Sequence, residues 1–250
     1  ISNFTDIAPL EAVDELDVSY VSNISQFGDP DVVIIPGSKN TISDLLWMRQ
    51  NGLEGKILRH AAKGGIVFGI CGGYQMLGQS ISDPTGAEQK GTVRGMGLLP
   101  VTTVFEQEKR RTRVSGRFAK VGGALAEMSG VCYEGYEIHM GRTVLSKGTV
   151  PLVYMEEEGE QRQDGAQSDH VYGCYMHGIF DMSETVKTFL AAVLRKKGID
   201  PSKITVRDRN AYKEEQYDRL ASIVRENLNM EAVYKIIEKG NEASCSLLSE

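Results

Sequence analysis

Cys71 lies in a short glycine-rich segment, Gly69-Ile70-Cys71-Gly72-Gly73, that could make its thiol a nucleophile. An apolar run precedes this segment and a plausible helix, Tyr74–Gly78, follows it, as in a nucleophile elbow. Glycines on both sides avoid the collisions that so sharp a turn would cause, and the start of a helix favours the thiolate. A buried, inert thiol is the commoner fate of a single cysteine, but the flanking glycines favour the nucleophile here.

A thiolate that attacks an amide carbonyl creates an oxyanion, which N–H groups must stabilise. Gly72 follows the nucleophile, so its backbone N–H is the first candidate donor. The turn Pro36-Gly37-Ser38 after a neighbouring apolar run is predicted to supply the second donor, because glycine lets the backbone direct an N–H into the pocket. Gly72, Gly37 and Ser38 are therefore the predicted oxyanion hole.

His177 is the preferred general base among the four histidines. It ends the apolar run Val171–Met176, and catalytic groups of α/β folds lie at the carboxyl ends of strands. His60 has charged neighbours and His170 closes a polar segment, so both are expected at the surface. His139 lies in an alternating strand pattern and is the alternative base, or a substrate contact.

The first half of the chain alternates short apolar runs with amphipathic segments, which is typical of βαβ units. Continuously apolar runs also indicate central strands that are covered on both faces. We predict an α/β fold with a central, mostly parallel sheet and helices on both faces. The predicted strands are Val18–Val21, Asp31–Ile35, Ile66–Ile70 and Val171–Met176, and the predicted helices are Thr41–Arg49 and Leu53–Lys63.

The middle and the end of the chain have a different character. Strand-like pieces separated by glycine turns indicate an antiparallel extension, with Glu156–Asp169 as an exposed polar loop. Helical spacing follows in Ser183–Lys197 and Asp208–Lys239. We predict one domain over residues 1–200 and a helical tail over 201–250. The strand-like pieces are Leu98–Phe105, Ser115–Val121, Tyr133–Leu145 and Leu152–Met155.

Composition narrows the class of protein. The chain has 250 residues, of which 41% are hydrophobic, so it can build a sizeable core. Its net charge of −6 argues against binding to nucleic acid or to an anionic membrane. No signal peptide or long apolar run is seen, and the four cysteines form no C-x-x-C pair, so we expect a cytoplasmic protein with reduced thiols. No spacing resembles a closed zinc site, so no metal is expected.

The segment Gly69–Gln75 resembles the G-x-C-x-G-x-Q signature of class I glutamine amidotransferases. Five segments resemble the carboxyl-terminal glutaminase domain of the cobyric acid synthase family, with similarity from about Asn3 to Phe189. The resemblance implies the class I glutamine amidotransferase (flavodoxin-like) fold and hydrolysis of glutamine by Cys71 and His177. The five segments are Asp31–Leu46, Tyr74–Gly78, Asp83-Pro84, Gly135–Gly141 and Tyr175–Phe180.

In that family an amino-terminal ATP-dependent synthetase domain uses the ammonia to amidate carboxylates of a corrin ring. The resemblance implies conversion of adenosylcobyrinic acid a,c-diamide to cobyric acid in cobalamin biosynthesis, with glutamine and, through the synthetase domain, the corrin as partners. Nothing here resembles a phosphate loop, and the chain begins with Ile1 rather than Met. We therefore expect the ammonia-producing part alone, without a cofactor, while ATP and Mg belong to the synthetase domain.

Glutamine needs a cation for its α-carboxylate, an acceptor for its α-ammonium group and polar contacts for its amide. Gln75 lies one turn after the nucleophile and is expected to shape the pocket. Arg113 is the first choice for the carboxylate, because a guanidinium can bind it bidentately, although a solvated charge run explains this arginine equally well. From the Gly-Tyr-Glu-Ile-His segment, Tyr136, Glu137 and His139 are expected to contact the substrate.

One departure concerns the third member of the triad. Many class I glutaminases carry H-x-E after the last strand, whereas Gly178 and Ile179 follow His177. A Cys-His dyad is therefore expected, with the histidine oriented by a backbone carbonyl, Asp181 or Glu137, and with low intrinsic activity.

Other functions remain open on the sequence alone. The chain could be the glutaminase of cobyrinic acid a,c-diamide synthase or of a cell-wall lipid amidating complex. It could also be a catalytically idle domain that docks a synthetase. A general cysteine hydrolase of the same fold would leave Gln75 unexplained.

Overall fold

The structure, a computed structural model, describes residues 4–157, 160–203, 205–206 and 209–246. The helices are α1 (Ala8–Glu11), α2 (Thr41–Gln50), α3 (Leu53–Ala62), α4 (Gly72–Leu77), α5 (Ser183–Lys196), α6 (Arg209–Asn227) and α7 (Met230–Ser246). The strands are β1 (Val32–Ile35), β2 (Ile66–Ile70), β3 (Ser80–Asp83), β4 (Gly91–Arg94), β5 (Val101–Phe118), β6 (Cys132–Leu145), β7 (Val153–Glu157), β8 (Glu160–Asp164), β9 (Ala166–Ser168) and β10 (Val171–Cys174).

A four-stranded sheet with the strand order β1-β2-β10-β9 positions Cys71, which directly follows β2. β1 and β10 run parallel to β2, and β9 pairs antiparallel with β10 at the edge. All five residues of β2 are buried, which explains its continuously apolar sequence. α3 and α4 pack against β2, and α2 packs against both of these helices. The predicted α/β fold with a mostly parallel central sheet is confirmed.

The predicted antiparallel extension is a second sheet of six strands, ordered β4-β3-β5-β7-β8 with β6 paired to β5. Its pairs are antiparallel except β3 with β5, which is parallel. An isolated antiparallel bridge joins Tyr136 of β6 to His177, which lies just after β10. The two residues exchange backbone hydrogen bonds of 3.1 and 2.9 Å. This bridge brings the second sheet to the carboxyl end of the first.

The strand predicted over Val18–Val21 is wrong, because these residues form no strand. Val18 packs against the core, while Ser19 and Tyr20 are exposed. A short run of β-prone residues without a neighbouring strand does not join a sheet, since a strand needs backbone partners.

The exposed loop predicted over Glu156–Asp169 is also wrong. Most of this segment forms β8, which pairs with β7, and β9, which pairs with β10. The inward residues of β8 are Arg162 and Asp164, so hydrophobic periodicity could not reveal the strand. Gly165, with φ of 72°, makes the turn between the two strands.

The predicted pieces Leu98–Phe105 and Ser115–Val121 largely form one long strand, β5, with a register shift between Phe105 and Arg110. The chain divides into two compact units, Ile1–Val206 and Arg207–Glu250. The predicted tail helix begins at Asp208, which lies outside the described residues, and the described part forms α6 and α7. Within the described ranges, no helix has both the length and the apolar character needed to cross a membrane.

Candidate active site

Cys71 occupies a strained turn between β2 and α4, with φ of 52° and ψ of −108°. Such a conformation costs a non-glycine residue about 1–3 kcal/mol, so the surroundings must hold it. Its N–H donates to the carbonyl of Cys174 at 2.9 Å, and its own carbonyl accepts from the N–H of Gln75 at 3.1 Å. The thiol is 6% exposed and lies 3.7 Å from the carbonyl oxygen of Ile138. The predicted elbow geometry is confirmed.

Packing explains the glycines on either side of Cys71. A Cβ at Gly73 would lie 1.9 Å from the carbonyl oxygen of Ile35, and one at Gly69 would lie 2.7 Å from the backbone nitrogen of Tyr74. Both distances are far below van der Waals contact. The helix that follows Cys71 can therefore press against β1 and β2 only when these positions lack a side chain.

His177 lies beside Cys71 and is held by the carboxylate of Asp6. Its Nδ1 is 2.7 Å from Asp6 Oδ2, while Asp6 Oδ1 accepts the N–H of Gly178 at 2.8 Å. Asp6 is fully buried and His177 is 4% exposed. The imidazole also hydrogen-bonds the side chain of Cys71. Because Asp6 engages Nδ1, Nε2 is the nitrogen left for the thiol.

The surroundings of His177 favour its protonated form. Burial lowers the pKa of this imidazole, but the hydrogen bonds to Asp6 and Cys71 and the negative charges of these two groups outweigh burial. The net effect raises the pKa of His177 to about 10. At neutral pH the imidazole is therefore charged, which allows a thiolate–imidazolium pair with Cys71.

The predicted oxyanion turn lies against the elbow. A Cβ at Gly37 would be 2.8 Å from Cε1 of His177 and 3.7 Å from the Cβ of Cys71. A Cβ at Gly72 would be 2.8 Å from the backbone nitrogen of Ser38. Gly72 is also the first residue of α4, where backbone N–H groups have no acceptor within the helix. The structure thus brings all three predicted residues together around Cys71.

Tyr136 and Arg113 lie on the face of the second sheet that is turned towards His177. The Tyr136 ring stacks on the His177 imidazole with centroids 5.2 Å apart. Arg113 is opposite Tyr136 in the β5–β6 register, and Arg111 is opposite Ile138. Directly opposed residues project from the same face of a sheet. Both arginines are exposed and, among the described residues, have no ion-pair partner, so they can bind an anion.

Glu137 and His139 project from the other face of β6, since side chains alternate along a strand. Glu137 is fully buried and pairs with Arg162 at 2.6 Å and Arg110 at 3.1 Å. The His139 ring stacks on Tyr175 with centroids 3.7 Å apart, and its Nδ1 lies 2.8 Å from the carbonyl oxygen of Gly141.

Gln75 belongs to the same polar layer behind the elbow. Its amide nitrogen donates to the hydroxyl of Tyr175 at 3.1 Å, and that hydroxyl lies 2.6 Å from Thr143 Oγ1. Together, Gln75, Glu137 and His139 support the elbow and β6 from behind.

Comparisons with known proteins identify the family of this chain. The profile of the CobB/CobQ-like glutamine amidotransferase domain matches residues 1–185. The chain belongs to this family. A cobyric acid synthase of Ruminiclostridium cellulolyticum is 51% identical over 246 residues, which are 97% of this chain and 48% of that protein. A cobyric acid synthase of Lachnoclostridium phytofermentans is 42% identical over 250 residues, covering 96% of this chain and 49% of that protein.

The amidotransferase chain therefore spans about half the length of these relatives. Solved structures support the fold. A crystal structure of a glutamine amidotransferase has a TM-score of 0.52 at 15% identity and covers 78% of this chain and 91% of its own. The structure of PurLQS from Thermotoga maritima has a TM-score of 0.52 at 18% identity and covers 72% of this chain and 85% of its own. The class I glutamine amidotransferase fold is confirmed.

Asp6 corrects one expectation about this amidotransferase. The expected partner of His177 was a backbone carbonyl, Asp181 or Glu137, but the carboxylate on its Nδ1 belongs to Asp6. Glu137 is engaged instead by arginines on the other face of β6. A carboxylate therefore replaces the missing H-x-E glutamate, and the reason for expecting low intrinsic activity no longer holds.

Sequence reasoning missed Asp6 because it is 171 residues from His177. Its neighbours carried a weak signal. Ile7, Leu10 and Val13 are apolar and buried, and apolar residues at this spacing indicate a segment that packs on the core. Asp6, next to Ile7, could have been expected to be buried with them.

Two histidines lie away from Cys71. His60 Nε2 is 3.1 Å from the carbonyl oxygen of Ile66, at the start of β2, whereas Cys71 follows the end of that strand. His170 directly precedes β10, whereas His177 follows it. Parallel strands place these two ends at opposite edges of the sheet, so neither His60 nor His170 can act on the thiol.

Proposed function

We propose that Cys71, His177 and Asp6 hydrolyse glutamine to glutamate and ammonia through a thioester. The observation that carries this proposal is the buried array in which Asp6 binds Nδ1 of a histidine whose other nitrogen faces the thiol. An acid that orients an imidazole, which in turn serves a nucleophile on a sharp turn, is the arrangement required for acyl transfer. Membership of the glutamine amidotransferase family supports glutamine as the acyl donor.

The thiolate of Cys71 attacks the carboxamide carbon, and the carbonyl electrons move to oxygen. Backbone N–H groups of Gly72 and the Gly37–Ser38 turn stabilise this oxyanion. The His177 imidazolium gives its proton to the departing nitrogen, so ammonia leaves and a thioester remains. Neutral His177 then takes a proton from water as the oxygen attacks the thioester. Collapse releases glutamate and restores the thiolate–imidazolium pair.

Arg113 and Arg111 are proposed to bind the α-carboxylate of glutamine. Both are exposed, project from the face that carries Tyr136 and, among the described residues, lack an ion-pair partner. Arg110 is less suitable, because it pairs with Glu137 and Glu157 on the other face. Tyr136 is proposed to form one wall of the pocket, since its ring already stacks on the base.

At the level of the whole protein, we propose that this chain is the glutaminase of a cobyric acid synthase. Residues 1–200 would form the glutaminase and 201–250 a helical tail. The relatives of that name, at 51% and 42% identity, support this choice over cobyrinic acid a,c-diamide synthase or cell-wall lipid amidation. The ammonia would serve ATP- and Mg-dependent amidation of corrin carboxylates in a synthetase domain outside this chain. The free thiols of Cys71, Cys132 and Cys174 fit a reducing, cytoplasmic location.

Cys71→Ala tests the proposal, with Cys132→Ala as the matched control because Cys132 is a free, exposed cysteine. Wild type and the control should release glutamate from glutamine and be labelled once by a diazo-ketone analogue of glutamine. Cys71→Ala should do neither. In a longer protein that contains this chain, added ammonium should restore amidation to Cys71→Ala. Glutamate release by Cys71→Ala, or no rescue by ammonium, would show that Cys71 is not the glutaminase nucleophile.

The alternative of an idle docking domain rested on the missing H-x-E carboxylate. Asp6 now supplies a carboxylate to His177, so this ground is removed. The same labelling experiment separates the two functions, because an idle domain should not react with the glutamine analogue.

A further inference from the structure

Glu88 lies in an exposed loop between β3 and β4, yet its carboxylate reaches the start of α2. Oε1 accepts a hydrogen bond from Thr41 Oγ1 at 3.2 Å, and Oε2 accepts one from the N–H of Ile42 at 3.3 Å. Both α2 residues are buried, with 1% of their surface exposed. The residue at the N-cap position, Asn40, makes no capping bond with its side chain. Glu88 therefore caps α2 from a distant part of the chain.

The loop that carries Glu88 is itself firmly held. Asp83 is fully buried, and its carboxylate accepts four backbone N–H groups at 2.7–2.9 Å. One of these four donors is the N–H of Glu88. Fixing the backbone of residue 88 in this way fixes the direction in which its side chain can reach. The Asp83 carboxylate thus ties the cap to the end of β3.

The capped turn borders the expected oxyanion hole. A Cβ at Gly72 would lie 3.2 Å from Thr41 Oγ1 and 2.8 Å from the backbone nitrogen of Ser38. The hydroxyl that Glu88 binds is thus packed against the residue after the nucleophile. β1 anchors one end of the Pro36–Asn40 turn, and the first turn of α2 anchors the other. A shift of Thr41 would change the separation between the Ser38 and Gly72 backbones.

We propose that Glu88, held by Asp83, is a positioning residue that fixes the oxyanion turn against the nucleophile elbow. This inference rests on the proposed glutaminase reaction. Glu88 does not touch the substrate, so its loss should slow the chemical step while glutamine binding and the thiolate remain intact. Burial, together with the nearby charge of Asp83, raises the pKa of Glu88 above its ordinary value against the effect of its hydrogen bonds. Protonation of Glu88 at acid pH would therefore weaken this cap.

The test compares Glu88→Ala and Glu88→Gln with Glu184→Ala in the complete 250-residue chain. Glu184→Ala is the control, because it also removes an acid from the start of a helix, here the first turn of α5. For Glu88→Ala, kcat for glutamine should fall about tenfold with KM within about twofold, because misplaced oxyanion donors act on the transition state. For Glu88→Gln, kcat should fall less, since the amide oxygen can still accept one hydrogen bond. Glu184→Ala should match wild type.

Alkylation of Cys71 by iodoacetamide forms no oxyanion and so reports on the thiolate alone. Its rate, followed on the Cys71 peptide by mass spectrometry, should stay within about twofold of wild type in both Glu88 variants. Unchanged kcat in Glu88→Ala, or an alkylation rate that falls together with kcat, would overturn the proposal. Should Glu88→Ala not fold, Glu88→Gln decides, and a kcat equal to wild type would overturn it.

A double-mutant cycle adds a second criterion. Thr41→Val removes the hydroxyl that Glu88 binds, so its effect on kcat should not add to that of Glu88→Ala. If the two effects on kcat were fully additive, Glu88 and Thr41 would not act through the same hydrogen bond. If wild type itself neither hydrolyses glutamine nor reacts with the diazo-ketone analogue, the proposed function fails. If wild type is active and the Glu88 variants have the same kcat as wild type, only the positioning role fails.

Discussion

Asp6→Asn removes one charge from the catalytic array with almost no change in shape. Asp6 uses one oxygen to accept the N–H of Gly178 and the other to face Nδ1 of His177. In the variant the Gly178 N–H would hold the amide oxygen of Asn, which turns the NH2 group towards Nδ1. Because an NH2 group can only donate, His177 would have to carry its proton on Nε2. That tautomer cannot accept a proton from the thiol or from water.

The size of the effect follows from the charged hydrogen bond between Asp6 and His177, which the variant cannot make. A hydrogen bond to a charged group contributes about 1.5–3 kcal/mol, which is about 10- to 150-fold in rate. The wrong tautomer also weakens general base catalysis, so we expect kcat to fall by about 10²-fold. Without the negative charge of Asp6, the pKa of His177 should fall from about 10 towards its ordinary value. Its charged form should then disappear at lower pH than in wild type.

Initial rates of glutamate release, measured from pH 6 to 10, provide the assay, with NMR titration of His177 beside it. Asp17→Asn is the matched control, because Asp17 is an exposed acid of the same amino-terminal segment. The raised pKa of His177 also makes the stability of the folded protein depend on pH. Because the folded protein holds the proton of His177 more tightly than the unfolded chain does, this group stabilises the fold fully below about pH 6.5. That contribution is lost as pH rises through about 10. An Asp6→Asn variant with wild-type kcat and an unchanged His177 titration would refute the assignment of Asp6.

Three further predictions concern other parts of the structure. Gly37→Ala should lower kcat at least about tenfold, since its Cβ would lie 2.8 Å from His177 Cε1; Gly55→Ala, whose Cβ meets nothing within 4 Å, should keep wild-type kcat. Arg113→Ala should raise KM about 10- to 150-fold with little change in kcat, unlike the exposed Arg117→Ala, and an unchanged KM would exclude Arg113 from binding. Burial and the charge of Glu137 raise the pKa of Asp164 to about 6, so the folded protein binds more protons than the unfolded chain between about pH 4 and 6. Urea unfolding should show stability falling as pH rises through that window in wild type but not in Asp164→Asn, and equal slopes would contradict the buried charge.

Features set by neighbouring residues could be predicted from the sequence. The elbow at Cys71 depends on glycines at Gly69 and Gly73 and on an adjacent apolar run, all within one short segment. The position of His177 follows from an apolar strand that ends at it. The central strands were predictable because burial on both faces requires continuously apolar residues.

Features built from charged residues or from distant segments could not be predicted in this way. β8 has Arg162 and Asp164 on its inward side, so its sequence resembles a polar loop. Only tertiary contacts explain these inward positions, because Arg162 pairs with Glu137 and Asp164 accepts the backbone N–H of Tyr175. Arg113 and Glu137 both looked like substrate ligands, but the β5–β6 register places them on opposite faces of the sheet. Register depends on strand pairing, and sequence pattern alone does not specify it.

By itself, the sequence predicted Cys71 as the nucleophile, His177 as the base and the fold class, because each prediction depends on residue types in adjacent positions. Only the tertiary structure decided which carboxylate serves His177. Asp6 comes from a segment 171 residues away, brought to Nδ1 by the packing of its apolar neighbours. It likewise decided that Glu88 caps α2 beside the oxyanion turn, across 46 residues of chain. Hydrogen bonds between such distant segments form only after the core has brought them together, so no local pattern can encode them.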